Sequence, residues 1–466
     1  MNRVLPLLLL LSGCAVGPDY ERPRLDAPQK WSLPSVGGQE EQGISSAPWW
    51  QAFGDPLLSE LMERAMAANK DLKIAEARLR EARADTTAQE ASIMPSFFAM
   101  GSSQRERNVN PILPLRKPYN TLRANFDAVW EVDLFGRIRR ATEAAQAEEE
   151  AAIYGVHLAE LSLSAEVARH YVIYCQLKQQ RATLEESLDH ALVRQNLQQL
   201  RVEKGDAPQE SALTATRALS DLQGQLEMLT AALSSTQHTL EILLGEQPNA
   251  LKTLLFKAEK IPQVAQFDPL AAPAAVLRHR PDVQMAERHL AAATAMKGVA
   301  IAGLYPSISL SAFVGRAAVT RHNFWNHKNK SHQVYGDVHL PLFSFGRQMA
   351  GIEASDARLE QARLAFEQAA LAALGEVESF AMGYLKAQDS LAHITSSHHA
   401  ALKSLDLASH SLEKGALSKL NHADVALMAQ QSSFKLAEAQ AEAAMHFIGL
   451  QKAVGGHAPA KSLGTN

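Results

Sequence analysis

The chain has 466 residues, a formal net charge of −4 and 21% charged residues. That balance excludes a basic nucleic-acid binder and a highly charged disordered tail. Two cysteines in this length exclude a disulfide framework.

Residues 1–13 read as a lipoprotein signal peptide. The apolar run from Val4 to Leu11 follows Arg3 and is far shorter than the roughly 20 residues a spanning helix needs, but it suits the h-region of a secretion signal. Its close, Leu11-Ser12-Gly13-Cys14, resembles a bacterial lipobox. That resemblance implies cleavage before Cys14, acylation of its thiol and, with Ala15 rather than an aspartate following, residence in the outer membrane. Two or more acyl chains anchor a protein durably where one does not. Cys175 sits among apolar and aromatic neighbours in "RHYVIYCQL" and reads as a packing residue.

Residues 14–54 are rich in Pro, Gly, Ser and Gln and suit an extended, lipid-anchored strap. Asp55 before Pro56 then reads as an N-cap with proline in the first helical turn, opening a helix to about Ala91. Beyond it the chain repeats itself. Phe135-Gly136-Arg137 recurs as Phe345-Gly346-Arg347, and Glu203-Lys204-Gly205 recurs as Glu413-Lys414-Gly415, both at an offset of 210. Gly245 and Gly455 keep the same offset, and Pro95-Ser96 returns as Pro306-Ser307. The repeats are set at 55–250 and 274–455, with a linker at 251–273 and a tail at 456–466.

Each copy carries two strands, at about 96–107 and 119–134 in the first and about 307–318 and 332–343 in the second. Leu122, Ala124, Phe126, Ala128, Trp130, Val132 and Leu134 alternate with Thr121, Arg123, Asn125, Asp127, Val129, Glu131 and Asp133, which gives a greasy face and a charged one, the face that Arg123, Asn125, Asp127, Glu131 and Asp133 would turn to the lumen of a barrel. Such alternation over about ten residues is the weak per-strand signature of an outer-membrane barrel. A soluble half-buried strand has the same pattern, but four strands in matched pairs behind a lipobox favour the membrane. After each pair comes a proline-free stretch of strong helix formers, on the order of 100 Å long as one helix, broken at Gly205 and Gly415. Val156, Leu163, Val167, Tyr171, Tyr174 and Leu177 mark a coiled-coil-like seam along the first.

Four strands cannot close a membrane barrel, which needs at least about eight. Two copies leave little interior, whereas three give twelve strands and room for water. The duplicated helix, strand, strand, long helix, helix order, the "FGR" after each second strand, the two glycine turns and the lipobox followed by "VGPDYERP" together resemble the TolC-type outer-membrane efflux family, in its lipoprotein (NodT-like) branch. The resemblance implies a mainly α fold with a membrane β-barrel: a trimer whose 12-stranded barrel continues as a long α-helical barrel in the periplasm. It further implies a passive exit duct for small molecules such as drugs, partnered by a periplasmic adaptor and an inner-membrane pump of the resistance-nodulation-division type. A duct for secreted polypeptides and a lipid-anchored coiled-coil scaffold are the alternatives.

No HExxH, P-loop, GxSxG or CxxC is present, so an enzyme reading has no starting point and no cofactor is expected beyond the lipid on Cys14. His322, His327 and His332, with His398 and His399, lack an i, i+4 carboxylate partner and read as solvated rather than as a metal site. "RHRPD", Arg278 to Asp282, reads as a helix start. A helix restarting near Ser418 puts Asp424 one to two turns from the Gly415 turn, while the equivalent first-copy position holds Thr214. The resemblance makes Asp424 the periplasmic gate candidate, with Lys419 as a cation for the Asp424 of a neighbouring chain.

Overall fold

The computed structural model describes residues 15–24, 27–32, 48–107, 118–264 and 272–456. Cys14 and the whole signal peptide lie outside them. Thirteen helices and strands follow in order: α1 (Pro56–Ala68), α2 (Lys70–Ala91), β1 (Ser96–Glu106), β2 (Tyr119–Val132), α3 (Arg137–Glu203), α4 (Gln209–Leu243), α5 (Lys252–Leu255), α6 (Pro273–His279), α7 (Pro281–Ala302), β3 (Ser307–Ala318), β4 (Lys330–His339), α8 (Arg347–Glu413) and α9 (Lys419–Ala453). The 210-residue offset is kept residue for residue by α3 and α8, and again by α4 and α9. No helix among the described residues is long and apolar enough to cross a membrane.

The helix ends follow from local chemistry. Asp55 accepts hydrogen bonds from the Leu57 and Leu58 amides at 2.8 and 3.1 Å, with Pro56 at the first position, so α1 starts where its sequence dictates. It stops at Asn69, which leaves the helical region and restarts the chain by accepting from the Leu72 amide, so the single helix expected here is two. At Gly205 (φ +75°) and Gly415 (φ +70°) the glycine amide donates to Val202 O and Leu412 O, both at 3.0 Å, and the amide of the next residue reaches back five residues, Asp206 to Arg201 O and Ala416 to Ser411 O, both at 2.8 Å. This double-bonded stop needs a left-handed residue, which glycine adopts without a Cβ penalty.

The chain divides into two compact units, each drawn from both copies of the repeat. One comprises residues 1–24, 78–153 and 285–368 and contains the sheet. Its order is β1-β2-β3-β4, antiparallel throughout, so the two hairpins join through β2 and β3 into one surface. β4 begins two residues earlier than its alternation indicated and stops at His339, ahead of Pro341, which has no N–H to donate to a ladder.

Residues 15–24 of the strap run over this unit without regular structure, held by named bonds. The Val16 amide donates to Phe135 O at 3.1 Å, and buried Arg140 donates to Val16 O, Gly17 O and Asp19. Gly17 (φ +96°) passes so close to Gly298 that a Cβ on it would lie 2.5 Å from the Gly298 Cα. Further along, Tyr20 and Arg288 both hydrogen-bond buried Glu287.

The other unit holds 25–77, 154–284 and 369–466. In its part of α3 the predicted seam is buried at Val156, Leu163, Val167, Tyr171 and Tyr174, with Leu177 half-buried. Tyr171 donates to the α1 cap, Asp55, at 2.8 Å. Cys175 is buried beside it, and loss of solvent pushes its thiol up to about 12, so it packs and does not react. Along α9 the buried positions Ala423, Ala426 and Ala429, and then Ala437, Ala441 and Ala444, recur at three and four residues within each group, a small-residue stripe that admits close helix approach. Trp31 from the strap is buried against Val276, Val377 and Leu450, so the strap is pinned at this second place too.

Candidate functional site

Register decides which side chains share a face. Phe126 is opposite Ala99 on β1 and Val314 on β3, Ala312 is opposite Val334, and Ile308 is opposite Val338. These residues therefore form one apolar face across four strands, and nothing among the described residues covers it: Phe97, Phe126, Val334 and Val338 are 78, 70, 71 and 69% exposed. The second face carries Arg123, Asn125, Asp127 and Glu131 among serines and Gln333, with Phe98 and Phe313 flanking Asp127. Asn125 donates to Asp127 at 2.6 Å. Arg137, at the start of α3, donates to both oxygens of Glu131 at 2.9 and 2.7 Å.

Asp133 is a correction to the alternation. It lies one residue past the end of β2, its side chain is only 6% exposed, and it accepts from the Ile138 and Arg139 amides at 3.1 and 2.9 Å. It is the N-terminal anchor of α3, where a carboxylate meets unpaired amides and the positive end of the helix dipole. Period two continues through a cap as readily as through a strand, so alternation alone does not separate the two. Trp130 also changes role. It sits on the apolar face, but its indole N–H donates to Ile93 O at 2.9 Å at the helix end of the sheet, the position of an interfacial tryptophan rather than a mid-membrane one.

In the other unit, Ser418 caps α9 by accepting from the Asn421 amide at 3.1 Å. Asp424 is thus the sixth residue of α9, one to two turns from the Gly415 bend. Its cation is one the sequence reading missed: Arg194 Nε on α3 lies 2.9 Å from Asp424 Oδ1, with the two side chains 31 and 40% exposed. Lys419 is exposed and makes no ion pair among the described residues. Beside the pair, the His190 and His422 rings are 6.5 Å apart, and Gln430 donates to Glu186 at 2.8 Å. The pairing spans 230 residues of sequence, so no local spacing reveals it. The repeat offset does give a hint, since the counterpart of Arg194 is Ser404 just as that of Asp424 is Thr214.

Arg280 of the "RHRPD" segment is buried and structural. It donates to Ala453 O at 2.7 Å, to Glu376 at 2.7 Å and to both oxygens of Asp282. Burial opposes its charge, but these carboxylates outweigh burial and raise its pKa. His322, His327 and His332 lie on the β3–β4 hairpin, and no three potential metal ligands converge among the described residues.

The family model described as "Outer membrane efflux protein" matches residues 61–246 and 272–456, one match to each copy of the repeat. Nodulation protein T of Rhizobium leguminosarum bv. trifolii is 26% identical over 460 residues, covering 98% of this chain and 97% of that one. The pyoverdine export outer membrane protein OpmQ of Pseudomonas aeruginosa is 27% identical over 461 residues, covering 96 and 95%. Among solved structures, the outer-membrane channel OprN aligns with a TM-score of 0.85 at 27% identity, over 95% of this chain and 99% of that one.

Proposed function

This chain belongs to the outer membrane efflux protein family, and on that premise we propose that three copies close one twelve-stranded barrel and form the passive exit duct of a tripartite system. The protein resides in the outer membrane with its helical part in the periplasm. A periplasmic adaptor and an inner-membrane pump of the resistance-nodulation-division type complete the assembly, and the duct moves small molecules without catalysis. The observation that carries this reading is the open sheet, whose apolar face is exposed along all four strands and whose β1 and β4 edges pair with no other strand among the described residues. A sheet cannot stand in lipid with free edges, and closure with two further copies satisfies every edge group at once. Planar-bilayer recording of the purified protein, with its mass measured in detergent, tests the proposal. Channels of discrete conductance from a particle of three chains are expected, and a lipid-anchored scaffold gives no current.

The gate belongs to the same reading. Asp424 and Arg194 clasp α3 to α9 close to the Gly415 turn, and their separation on opening widens the periplasmic mouth. The lipid anchor is supported by the strap. The amide of Val16, two residues after Cys14, is bonded to Phe135 O at the helix end of the sheet, which is the periplasmic side of the membrane. Palmitate labelling is expected in the parent and absent from Cys14→Ala, with barrel formation retained. Label persisting in the variant removes Cys14 as the anchor.

A further inference from the structure

The antiparallel order places the β1–β2 and β3–β4 connections at the end of the sheet away from the helices, which in an outer-membrane duct is the outer surface. From Ser307 to Gly336 the chain has Arg316, Arg321, Lys328 and Lys330 and no acid, although at the composition of the whole chain about three acids belong in such a length. Two of these cations are directly opposite each other in the β3–β4 register: Arg316 pairs with Lys330. Like charges at opposed positions destabilise a sheet. Both continue the apolar, lipid-facing row, Arg316 after Ala312 and Val314, and Lys330 after Val334 and His332.

The loop above them is built rather than loose. Arg316 Nη1 donates to Trp325 O at 2.7 Å and Asn326 O at 3.1 Å, and its guanidinium lies 5.5 Å from the Trp325 ring centre. Asn326 caps a short turn by accepting from the Lys328 amide, and Asn329 donates to Asn323 O. The product is an indole ring held 76% exposed, with Phe324 packed edge-on against it, above a cleft lined by Phe126, Val314, Arg316, Trp325, Lys330 and His332. Exposed Arg105, the tenth residue of β1, and Arg107, one past its end, lie at the same end of the sheet, on either side of Glu106 in the sequence.

Cations opposed without a carboxylate, at the top of a lipid-facing row and under an exposed tryptophan, need an anion that arrives with apolar chains. We propose that this hairpin is a binding surface for the phosphorylated headgroup of an anionic lipid in the outer leaflet. The indole lies in the headgroup layer and Arg316, Lys330, Lys328 and Arg321 surround the phosphate, while the acyl chains run down the Phe126–Val314 face. The inference rests on the outer-membrane reading of the sheet.

The test uses the full-length protein in detergent at low ionic strength, titrated with a bisphosphorylated glycolipid (lipid A), with phosphatidylcholine and with inorganic phosphate, and read by native mass spectrometry. The parent is expected to retain the bisphosphorylated lipid in preference to phosphatidylcholine. The triple variant Arg321→Gln, Lys328→Gln, Lys330→Gln spares Arg316, which holds the loop. It should lose about fivefold in affinity per cation, on the order of a hundredfold together, and the loss should shrink as salt rises. Trp325→Ala, with every charge in place, should weaken retention several-fold. Retention unchanged in the triple variant, or lost equally in Lys386→Gln, Lys403→Gln, Lys435→Gln on the helices, overturns the proposal. So does displacement of the lipid by inorganic phosphate at equal concentration. A parent that retains the lipid but passes no current in a planar bilayer removes the duct reading and supports the surface.

Discussion

Phe126 is the eighth of fourteen residues in β2, and Asp127 next to it points to the opposite face, so a lysine meets a different medium at each. At Phe126 it enters lipid near mid-membrane, at about 2–4 kcal/mol per site and three sites per barrel. At Asp127 it joins Asn125 and Arg123 on the wet face. Phe126→Lys is therefore expected to abolish heat-modifiable trimer on gels while Asp127→Lys retains it; equal yields would falsify the assignment of faces. Alternation made this contrast legible without coordinates, because a strand's side chains have period two whatever they pack against. It failed at Asp133 and gave Trp130 its face but not its depth, since a cap and an interfacial ring are defined by their backbone partners, Ile138 N and Ile93 O, and those lie outside any strand pattern.

At the scale of elements, the two copies solve the same end problem with different chemistry. Asn69 donates to Leu243 O at 2.8 Å at the end of α4, and Arg280, its counterpart at an offset of 211, donates to Ala453 O at the end of α9. Both supply a donor to a carbonyl that the helix itself leaves unpaired. Arg280→Met keeps the bulk but leaves Ala453 O and two acids without their donor. Because Asp282 and Glu376 are partly exposed, the expected loss is about 1–3 kcal/mol, seen as a lower thermal midpoint. A variant as stable as the parent makes the guanidinium a passenger. The helix boundaries were legible from Gly205, Gly415, Asp55 and the missing prolines. The junction at Asn69 was not, because asparagine both ends α1 and opens α2 only by virtue of Leu243 O and the Leu72 amide.

Near Tyr20 the strap is held by the buried carboxylate of Glu287, beside its bonds to Phe135 and Arg140. Burial acts to raise the pKa of Glu287, but hydrogen bonds from Arg288 and Tyr20, with the charges of Arg288 and Arg22, outweigh it and hold the value below the usual 4.5. A depressed carboxylate stabilises the folded state above its unfolded pKa, and that contribution is lost as pH falls through the lower, folded value. The strap is thus expected to stay docked at neutral pH, and to become protease-accessible near Tyr20 only in acid below the range where a free glutamate titrates. In Glu287→Gln it should be cleaved at neutral pH as well. Cleavage of the parent at an unchanged rate from pH 3 to 7 would show that Glu287 does not hold it.

Across the whole molecule, the long helices of the two copies match in their bounds and differ in their seams, and the difference points to which seam opens. The α3–α9 seam carries Glu186 with Gln430, His190 near His422, and Arg194 with Asp424. At an offset of 210 the same places hold Ser396 and Ser220, Ala400 and Ala212, Ser404 and Thr214. At these matched places, among the described residues, only the α3–α9 side carries charges. With both side chains about a third exposed, the Arg194–Asp424 pair is worth about 0.2–1 kcal/mol, too little to hold the fold but enough to bias a gate when three act together. Asp424→Ala is expected to raise the ratio of open to closed channel about 3- to 150-fold at low salt, and much less at 1 M, where exposed charges are screened. Arg194→Ala should match it and the double variant should add nothing, as for two halves of one interaction. Thr214→Ala should conduct like the parent. If Lys419→Ala instead reproduces the Asp424→Ala effect and Arg194→Ala does not, the carboxylate is clasped by the neighbouring chain, and opening separates subunits rather than two helices of one chain.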